Sequence, residues 1–176
     1  MQYISYYHSP LGKILLASDH IGITGLWFEN QKYYAYKLNK EHKEIDSTFF
    51  DHVKHWLDIY FSGKEPDFLP PIHLIGTSFQ IEVWEILKQI PYGETTIYGE
   101  IAIQIAQKKE LSQMSSQAVG GAVGHPISIM IPCHRVIGKN GSLTGYAGGI
   151  DKKIELLSLE KVPIQSFFIP KKGSAL

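Results

Sequence analysis

The first third of the chain is built of short apolar segments separated by turn residues. Residues 3–7, 13–17 and 22–28 are rich in β-branched and aromatic side chains, and Ser9-Pro-Leu-Gly12 separates the first segment from the second. Runs of this composition between turn signals are typical of neighbouring antiparallel strands. The pattern therefore predicts a β-hairpin or a meander at the N-terminus.

From residue 46 onward the apolar residues recur at helical spacing. Asp46–Ser62 carries an amphipathic stripe, and Thr77-Ser-Phe-Gln80 has the form of a capping box that begins a second helix. Residues 97–105 and 115–124 predict two short helices joined by a short turn, as in a helix-turn-helix, and Asp151–Glu160 predicts a last helix. The second half of the chain is therefore mainly helical.

Three segments of the second half need separate treatment. Gly120 and Gly121 each cost about 1 kcal/mol relative to alanine inside a helix, so they serve either close internal packing or close approach to a surface such as a DNA groove. The apolar run His125–Pro132 predicts a buried strand that leads to Cys133. We expect the tail, Val162–Leu176, to be loosely held.

Composition is that of an ordinary folded protein. The chain has 176 residues, of which 44% are hydrophobic and 19% charged, enough to bury a core. No apolar run approaches the roughly 20 residues that span a bilayer, and the N-terminus lacks the order of a signal peptide. We therefore expect a cytoplasmic protein without membrane contact, and a monomer by default.

Two prolines in Asp67-Phe-Leu-Pro-Pro71 mark the predicted domain boundary, because they end regular structure and stiffen a linker. The predicted domains are 1–70 and 76–165. Residues 1–75 hold 7 Lys+Arg against 9 Asp+Glu, and residues 76–176 hold 10 against 8. Because strong non-specific DNA binding needs a pronounced basic excess, any DNA binding here rests on few phosphate contacts.

Cys133 is the only cysteine and Arg135 the only arginine. One cysteine excludes an intramolecular disulfide and a multi-cysteine zinc site, and we expect no metal and no cofactor. A thiol near an imidazole and a guanidinium can have a lowered pKa. The alternative is that Cys133 is a small buried hydrophobe. On a strand, Cys133 and His134 would point to opposite faces, so their side chains need not touch.

The motifs around this cysteine occur in a specific order. Pro132-Cys-His-Arg-Val136 is preceded by Ala118-Val-Gly-Gly121 and followed by Gly145-Tyr-Ala-Gly-Gly149. Further matching pieces are Gly76-Thr-Ser-Phe-Gln80, Val83-Trp84, Ile90-Pro-Tyr-Gly-Glu94, Tyr98-Gly-Glu-Ile-Ala102 and Leu156-Leu157. Residues 76–161 as a whole resemble the O6-alkylguanine-DNA alkyltransferases, and the N-terminal part resembles them only through Ser9-Pro-Leu-Gly12.

The resemblance implies both fold and activity. The fold is α/β (α+β), with an N-terminal ribonuclease-H-like domain and a helical C-terminal domain whose helix-turn-helix is winged-helix-like. The activity is DNA repair by direct damage reversal: a single, irreversible transfer of a methyl or larger alkyl group from O6 of guanine in duplex DNA to Cys133, with O4 of thymine left open as a second substrate. Because that atom lies inside the duplex, the base must be flipped out, at a cost of a few kcal/mol.

Matched residue by residue, the resemblance also implies roles. Cys133 is the acceptor, His134 its base through a bridging water, and Glu160 the carboxylate that orients the histidine. Tyr98 presses on the phosphate beside the target and helps to protonate the leaving guanine, which agrees with general acid catalysis. The base pocket is formed by Tyr146, Val136 and Gly148, and the residues with a structural role are Arg135 and His125. The alternatives are a core position for Tyr98 and a surface position for Glu160.

The DNA-binding residues implied are Gln117, Ala118, Gly120 and Gly121, together with Tyr98, because small side chains fit a minor groove about 6 Å wide. Two of the implied positions depart from the family pattern. The family has an arginine where this chain has Gln117, and glutamine brings no charge, so we expect weaker DNA binding. The family asparagine before proline is replaced by His125.

The alternative of a different class is a non-enzymatic protein that binds alkylated DNA and recruits other repair factors. Such proteins have another residue at the acceptor position, whereas Cys133, His134 and Glu160 are all present here. A thiol hydrolase is a third reading, but it gives no reason for a helix-turn-helix. The sequence therefore favours the alkyltransferase.

Overall fold

The computed structural model describes residues 1–124 and 127–171. It has an N-terminal sheet domain and a C-terminal helical domain, which confirms the predicted α/β fold class. The strands are β1 (Gln2–Ser9), β2 (Gly12–Ser18), β3 (Ile23–Phe28), β4 (His42–Glu44), β5 (Thr96–Ile97) and β6 (Val136–Ile137). The helices are α1 (Thr48–Phe61), α2 (Ser78–Leu87), α3 (Tyr98–Lys108), α4 (Ser116–Val123) and α5 (Ile150–Leu159), with short 3₁₀ turns at Cys133–Arg135, Lys139–Gly141 and Ile164–Ser166.

The N-terminal sheet has the strand order β3-β2-β1-β4. The predicted meander is confirmed, since β1 pairs antiparallel with β2 and β2 antiparallel with β3, while β4 lies parallel to β1. The turn between β1 and β2 is closed by Ser9, whose Oγ donates to the carbonyl of Gly12 at 2.7 Å. Gly12 has φ +113°, a backbone conformation that glycine adopts readily.

Helix α1 packs its apolar stripe into the same core as the helical domain. Ser47 caps its N-terminus by accepting a hydrogen bond from the Phe50 amide at 3.2 Å. The buried residues of α1, Phe50, Val53, Trp56, Leu57 and Tyr60, belong to one cluster with β2, β3, α2, α3, α4 and Cys133. The two domains therefore share a core, and α1 lies against the part of the protein that holds the cysteine.

The three helices that follow form the scaffold of the C-terminal domain. The capping box predicted at Thr77 is present, with Thr77 and Gln80 each satisfying a backbone amide of the other. The helix pair predicted at 97–105 and 115–124 is confirmed as α3 and α4. Trp84 on α2 holds α4 in place, because its Nε1 donates to the carbonyl of Ala122 at 2.9 Å.

A short parallel pairing fixes the start of α3 relative to the cysteine turn. Thr96 pairs with Val136 and Ile97 with Ile137, so β5 lies beside β6. Tyr98 is the residue after β5, and Cys133–Arg135 immediately precedes β6. The pairing of β5 with β6 thus brings Tyr98 close to the turn that carries Cys133.

The strand predicted over His125–Pro132 is wrong in the described part of that segment. Residues 127–131 are buried but form turns, in which the Met130 amide bonds to the carbonyl of Ser128 and the Ile131 amide to that of Ile127. Ile129 has φ +70°, outside the β region. Burial was read correctly from the apolar run, but the segment bonds largely to itself instead of to a ladder partner.

The expectation of a loosely held tail is wrong for its first part. Val162 is buried, and the Leu143 amide donates to the carbonyl of Phe168 at 2.8 Å. The Phe168 amide donates in turn to the carbonyl of Gly141 at 3.0 Å. The chain after α5 therefore holds the glycine-rich loop, residues 138–149. Residues 172–176 lie outside the described residues. No helix in the described ranges is long and apolar enough to cross a membrane.

Candidate active site

Cys133 lies on a 3₁₀ turn with His134 and Arg135, and all three are buried. A 3₁₀ turn has three residues per turn, so consecutive side chains leave it in different directions. His134 and Arg135 both reach Glu160, which follows the last residue of α5. The structure thus brings together three of the predicted catalytic residues, and it buries Glu160 instead of leaving it on the surface.

The carboxylate of Glu160 accepts five hydrogen bonds. Its Oε1 accepts from His134 Nε2 at 2.7 Å, from Tyr60 Oη at 2.7 Å and from Arg135 Nη2 at 2.9 Å. Its Oε2 accepts from Arg135 Nε at 2.8 Å and from the Gly93 amide at 3.2 Å. A carboxylate has about four lone-pair sites, so this group is saturated with donors.

These donors decide the charge of Glu160. Burial alone would raise its pKa, but the hydrogen bonds and charges of His134 and Arg135 hold the pKa well below the usual range. Arg135 also donates from Nη1 to the carbonyl of Ile90 at 2.7 Å, so it links the end of α2 to the carboxylate. The structural role that the resemblance implies for Arg135 stays a prediction.

His134 is buried, with one ring nitrogen bound to Glu160 and the other open. Burial lowers the pKa of its imidazole, against an opposing effect of Glu160, so the resting ring is neutral. Nε2 faces the carboxylate, which only accepts hydrogen bonds, and we therefore assign the ring proton to Nε2. Nδ1 is buried and has no hydrogen-bond partner among the described residues. A proton acceptor is thus left open on the other side of the ring.

The thiol of Cys133 is protonated at rest. Burial raises its pKa to about 12, and the positive charge of Lys153 and hydrogen bonds from the backbone of Cys133 and His134 oppose this shift. The sequence suggested that the neighbouring imidazole and guanidinium lower the thiol pKa. That interpretation is wrong, because Arg135 is bound to Glu160, His134 is neutral, and desolvation is the larger effect.

Lys153 is fully buried on the inner face of α5. Its Nζ donates to the carbonyl of Val136 at 2.5 Å and to that of Thr144 at 2.8 Å. Burial lowers its pKa to about 8, while Cys133 opposes the shift. Lys153 therefore links α5 to β6 and to the glycine-rich loop. Its positive charge also lowers the pKa of the Cys133 thiol.

Tyr98 and Tyr146 are both buried, in the same core cluster as Cys133. Burial and Cys133 raise the pKa of Tyr98 to about 12, and a hydrogen bond with Thr144 partly offsets this. The ring of Tyr146 meets that of His134 edge to face, with centroids 6.4 Å apart. Both hydroxyls remain protonated at neutral pH, so either can donate a hydrogen bond to a bound group.

The predicted base-pocket loop is held by the N-terminal domain. Val136 is buried, and a side chain at Gly148 would collide with the ring of Tyr146 at 2.8 Å. The Lys32 amide, just after β3, donates to the carbonyl of Ala147 at 2.9 Å. The loop therefore keeps its shape partly through contact with a domain that the motifs hardly touch.

The exposed face of helix α4 carries uncharged residues, some of them small. Gln117, Ala118 and Gly121 are exposed, and a Cβ added at Gly121 would meet no atom within 4 Å. Gly120 is buried, so its prediction as a DNA-facing residue is corrected: helical periodicity turns it inward. Gly120 therefore faces the interior, while Gly121 lies on the exposed face. His125 lies outside the described residues.

A groove of about 550 Å³ lies between residues 65–69 and residues 88–92. Tyr60, Pro132 and Arg135 contribute to its lining, whereas Cys133 and Tyr146 do not. It is therefore distinct from the space around the thiol. Over residues 1–124 and 127–171, no group of three or more His, Cys, Asp or Glu residues could hold a metal ion.

Two residues of this site were missed by sequence reasoning. Tyr60 was assigned to the apolar stripe of α1, and nothing in its spacing distinguishes a core tyrosine from one that bonds a distant carboxylate. Lys153 had a usable signal. It precedes Leu156 and Leu157 by three and four positions, so it lies on the inward face of α5, where a lysine is unusual.

Comparison with known proteins places both parts of the chain. Residues 2–74 match the family model described as 6-O-methylguanine DNA methyltransferase, ribonuclease-like domain, and residues 78–162 match its DNA binding domain. A methylated-DNA--protein-cysteine methyltransferase of Haemophilus influenzae is 43% identical over 92% of this chain and 87% of its own length. One of Methanosarcina acetivorans is 43% identical over 90% of this chain and 97% of its own.

A solved structure agrees with these relatives. Mycobacterium tuberculosis OGT in complex with DNA superposes with a TM-score of 0.78 at 38% identity, covering 93% of this chain and 98% of that one. The similarity extends over both domains, including the N-terminal part that the sequence motifs matched loosely.

The depressed pKa of Glu160 predicts a pH-dependent contribution to stability. An unfolded glutamate has a pKa of about 4.3, so the stabilisation is present above that pH and is lost as the pH falls toward the lower folded-state pKa. We expect Glu160→Gln to reduce the free energy of unfolding by about 3–5 kcal/mol near neutral pH, because Arg135 loses its partner. The difference from the unmodified protein should shrink between about pH 5 and pH 3 in urea unfolding. Glu155→Gln, exposed on the same helix, is the control, and a difference that stays constant with pH would contradict the assignment.

Proposed function

This chain belongs to the 6-O-methylguanine DNA methyltransferase family, and from that premise we propose that Cys133 is its alkyl acceptor. Its activity is that of the methylated-DNA--protein-cysteine methyltransferases it resembles: it repairs DNA by alkyl transfer to a cysteine. The observation that carries the assignment is that the only cysteine of the chain is buried beside His134, whose Nδ1 is open while Nε2 is held by Glu160. We propose O6-alkylguanine in duplex DNA as the substrate.

Proton transfer begins from a neutral thiol. We infer that a water links the thiol of Cys133 to Nδ1 of His134, so that the proton passes to the imidazole as sulfur attacks the alkyl carbon. The imidazolium that forms is stabilised by Glu160, and the developing thiolate by the ammonium of Lys153. The bond between the alkyl carbon and O6 breaks, and its electron pair stays on the guanine.

The leaving guanine needs a hydrogen-bond donor as it gains charge. We assign this role to the hydroxyl of Tyr98, which stays protonated because burial and Cys133 raise its pKa to about 12. The product is a thioether at Cys133. Neither water nor the imidazole of His134 cleaves a carbon–sulfur bond of this kind, because the thiolate is a poor leaving group. The reaction therefore ends after one turnover per molecule.

DNA is proposed to bind at the exposed face of α4. Gln117, Ala118 and Gly121 present small or uncharged side chains, which suits close approach to a minor groove about 6 Å wide. We propose that the target base flips into the space near Tyr146, Val136 and Gly148. Gln117 then lies where a charged side chain would strengthen binding, so the affinity for DNA depends on few ionic contacts.

Further proposals concern organisation. We propose the domain division at 1–70 and 76–165, with the proline-containing segment between them as the linker. We also propose a monomer, because the proposed reaction uses residues of one chain. The cytoplasm is the proposed location, since a free thiol as the acceptor fits a reducing compartment.

Alkyl transfer is tested by the mass of one peptide. Incubation with duplex DNA that carries O6-methylguanine should add one methyl group to the peptide containing Cys133, at no more than one equivalent per protein. Cys133→Ser should bind the same DNA and gain nothing. Bound DNA with an unchanged cysteine would show a non-enzymatic binder, and repeated turnover would show an ordinary enzyme; either result would contradict the proposal.

The α4 surface is tested by adding bulk where the structure has room. Gly121→Leu meets no atom at the Cβ position, so the fold should persist, but the leucine would keep α4 out of a groove. We expect DNA affinity to fall by about tenfold or more, corresponding to roughly 1.4 kcal/mol, with little change in melting temperature. Thr48→Leu, at an exposed position in the N-terminal domain, is the control. Equal affinity for Gly121→Leu and the unmodified protein would exclude this face as the DNA contact.

A further inference from the structure

A tyrosine of the N-terminal domain reaches the carboxylate of Glu160. Tyr60 lies near the end of α1, is 1% exposed, and donates from Oη to Oε1 of Glu160 at 2.7 Å across 100 residues of chain. Its oxygen is also 3.4 Å from Nε2 of His134. No motif around Cys133 includes it.

The hydroxyl of Tyr60 has one hydrogen, and that hydrogen is used on Glu160. Its oxygen therefore faces Nε2 of His134 as an acceptor, beside the carboxylate oxygen that accepts from the same nitrogen at 2.7 Å. Both groups next to Nε2 are thus acceptors, which holds the ring proton there. Nδ1 is left without a proton, as a base for the thiol requires.

The ring of Tyr60 has little freedom to move. It stacks on Trp56, with centroids 5.5 Å apart and an interplanar angle of 4°, and it meets Phe61 and Tyr92 edge to face. Burial and the charge of Glu160 raise the pKa of its hydroxyl well above the usual value, so it remains a donor throughout the working pH range. A fixed, permanently protonated donor is suited to orient a carboxylate.

The other titratable and charged groups around this histidine and carboxylate come from four elements. They are Cys133 and Arg135 on the 3₁₀ turn, Tyr92 on the loop after α2, Tyr146 on the glycine-rich loop and Lys153 on α5. Among these groups, Arg135 is the one that, like Tyr60, donates a hydrogen bond to Glu160 Oε1. Arg135 is also fixed to the carbonyl of Ile90. The hydrogen bond from Tyr60 to Glu160 can therefore be removed by substitution without breaking the contact between Arg135 and Ile90.

We propose that Tyr60 is a positioning residue for alkyl transfer, which holds Glu160 and the tautomer of His134 and so makes the N-terminal domain part of the reaction. This inference rests on the proposed roles of Cys133 and His134. It accounts for a domain that supplies none of the reacting atoms and yet shares the core that surrounds the cysteine.

The test is Tyr60→Phe, which keeps the stacked ring and removes only the hydroxyl. We expect the rate of methyl transfer from duplex DNA to fall by about tenfold, because Glu160 and His134 lose part of their alignment. The pH profile is the second readout. With one donor fewer, the carboxylate stabilises the imidazolium more strongly, so the acidic limb should move to higher pH by roughly half a unit. The dissociation constant for DNA should not change, since Tyr60 is buried.

Tyr7→Phe is the matched control. It also removes a hydrogen bond from tyrosine to a carboxylate on α1, since Tyr7 Oη donates to Asp58 at 2.7 Å, but that bond lies away from Glu160. This variant should keep the rate and the pH profile of the unmodified protein. If Tyr60→Phe lowers only the melting temperature and leaves the rate and the acidic limb unchanged, the positioning role is excluded. If the unmodified protein itself transfers no methyl group, the failure belongs to the proposed function.

Discussion

The buried carboxylate of Glu160 connects the structural elements that surround Cys133. Glu160 is ionised inside the core, and a buried charge is tolerated only when its hydrogen-bonding capacity is filled. The donors come from α1, from the loop after α2 and from the cysteine turn, and the acceptor itself ends α5. Each element must therefore be in place before the charge is satisfied, and the same arrangement leaves one nitrogen of His134 open.

Burial also explains the chemical state of the thiol. A cysteine with a pKa raised to about 12 is a poor nucleophile at rest, so it does not react readily with solutes that reach it by chance. In the proposed reaction, the thiol proton leaves through His134 at the moment of attack, and Lys153 offsets the new negative charge. For a protein that reacts once, an acceptor that is quiet until the substrate is bound is an advantage.

The sequence predicted what is local and repetitive. The meander, the helices and the capping box at Thr77 follow from periodicity and turn residues, and the motif around Cys133 is specific enough to suggest the family. Prediction from the sequence failed where side chains from distant parts of the chain contact each other. The bond between Tyr60 and Glu160 leaves no periodic signal, and the apolar run before Cys133 shows burial without deciding between strand and turn. Lys153 could have been found, because a charged residue on an inward helical face is visible in the sequence.

The tautomer of His134 is the most direct measurement of this arrangement. Nitrogen-15 chemical shifts of labelled histidine, read in the resting protein at neutral pH, distinguish a protonated from an unprotonated ring nitrogen. We expect His134 to be neutral, with its proton on Nε2 toward Glu160 and with Nδ1 unprotonated. A resting His134 that carries its proton on Nδ1, or on both nitrogens, would contradict the role of Glu160 and the path of the thiol proton.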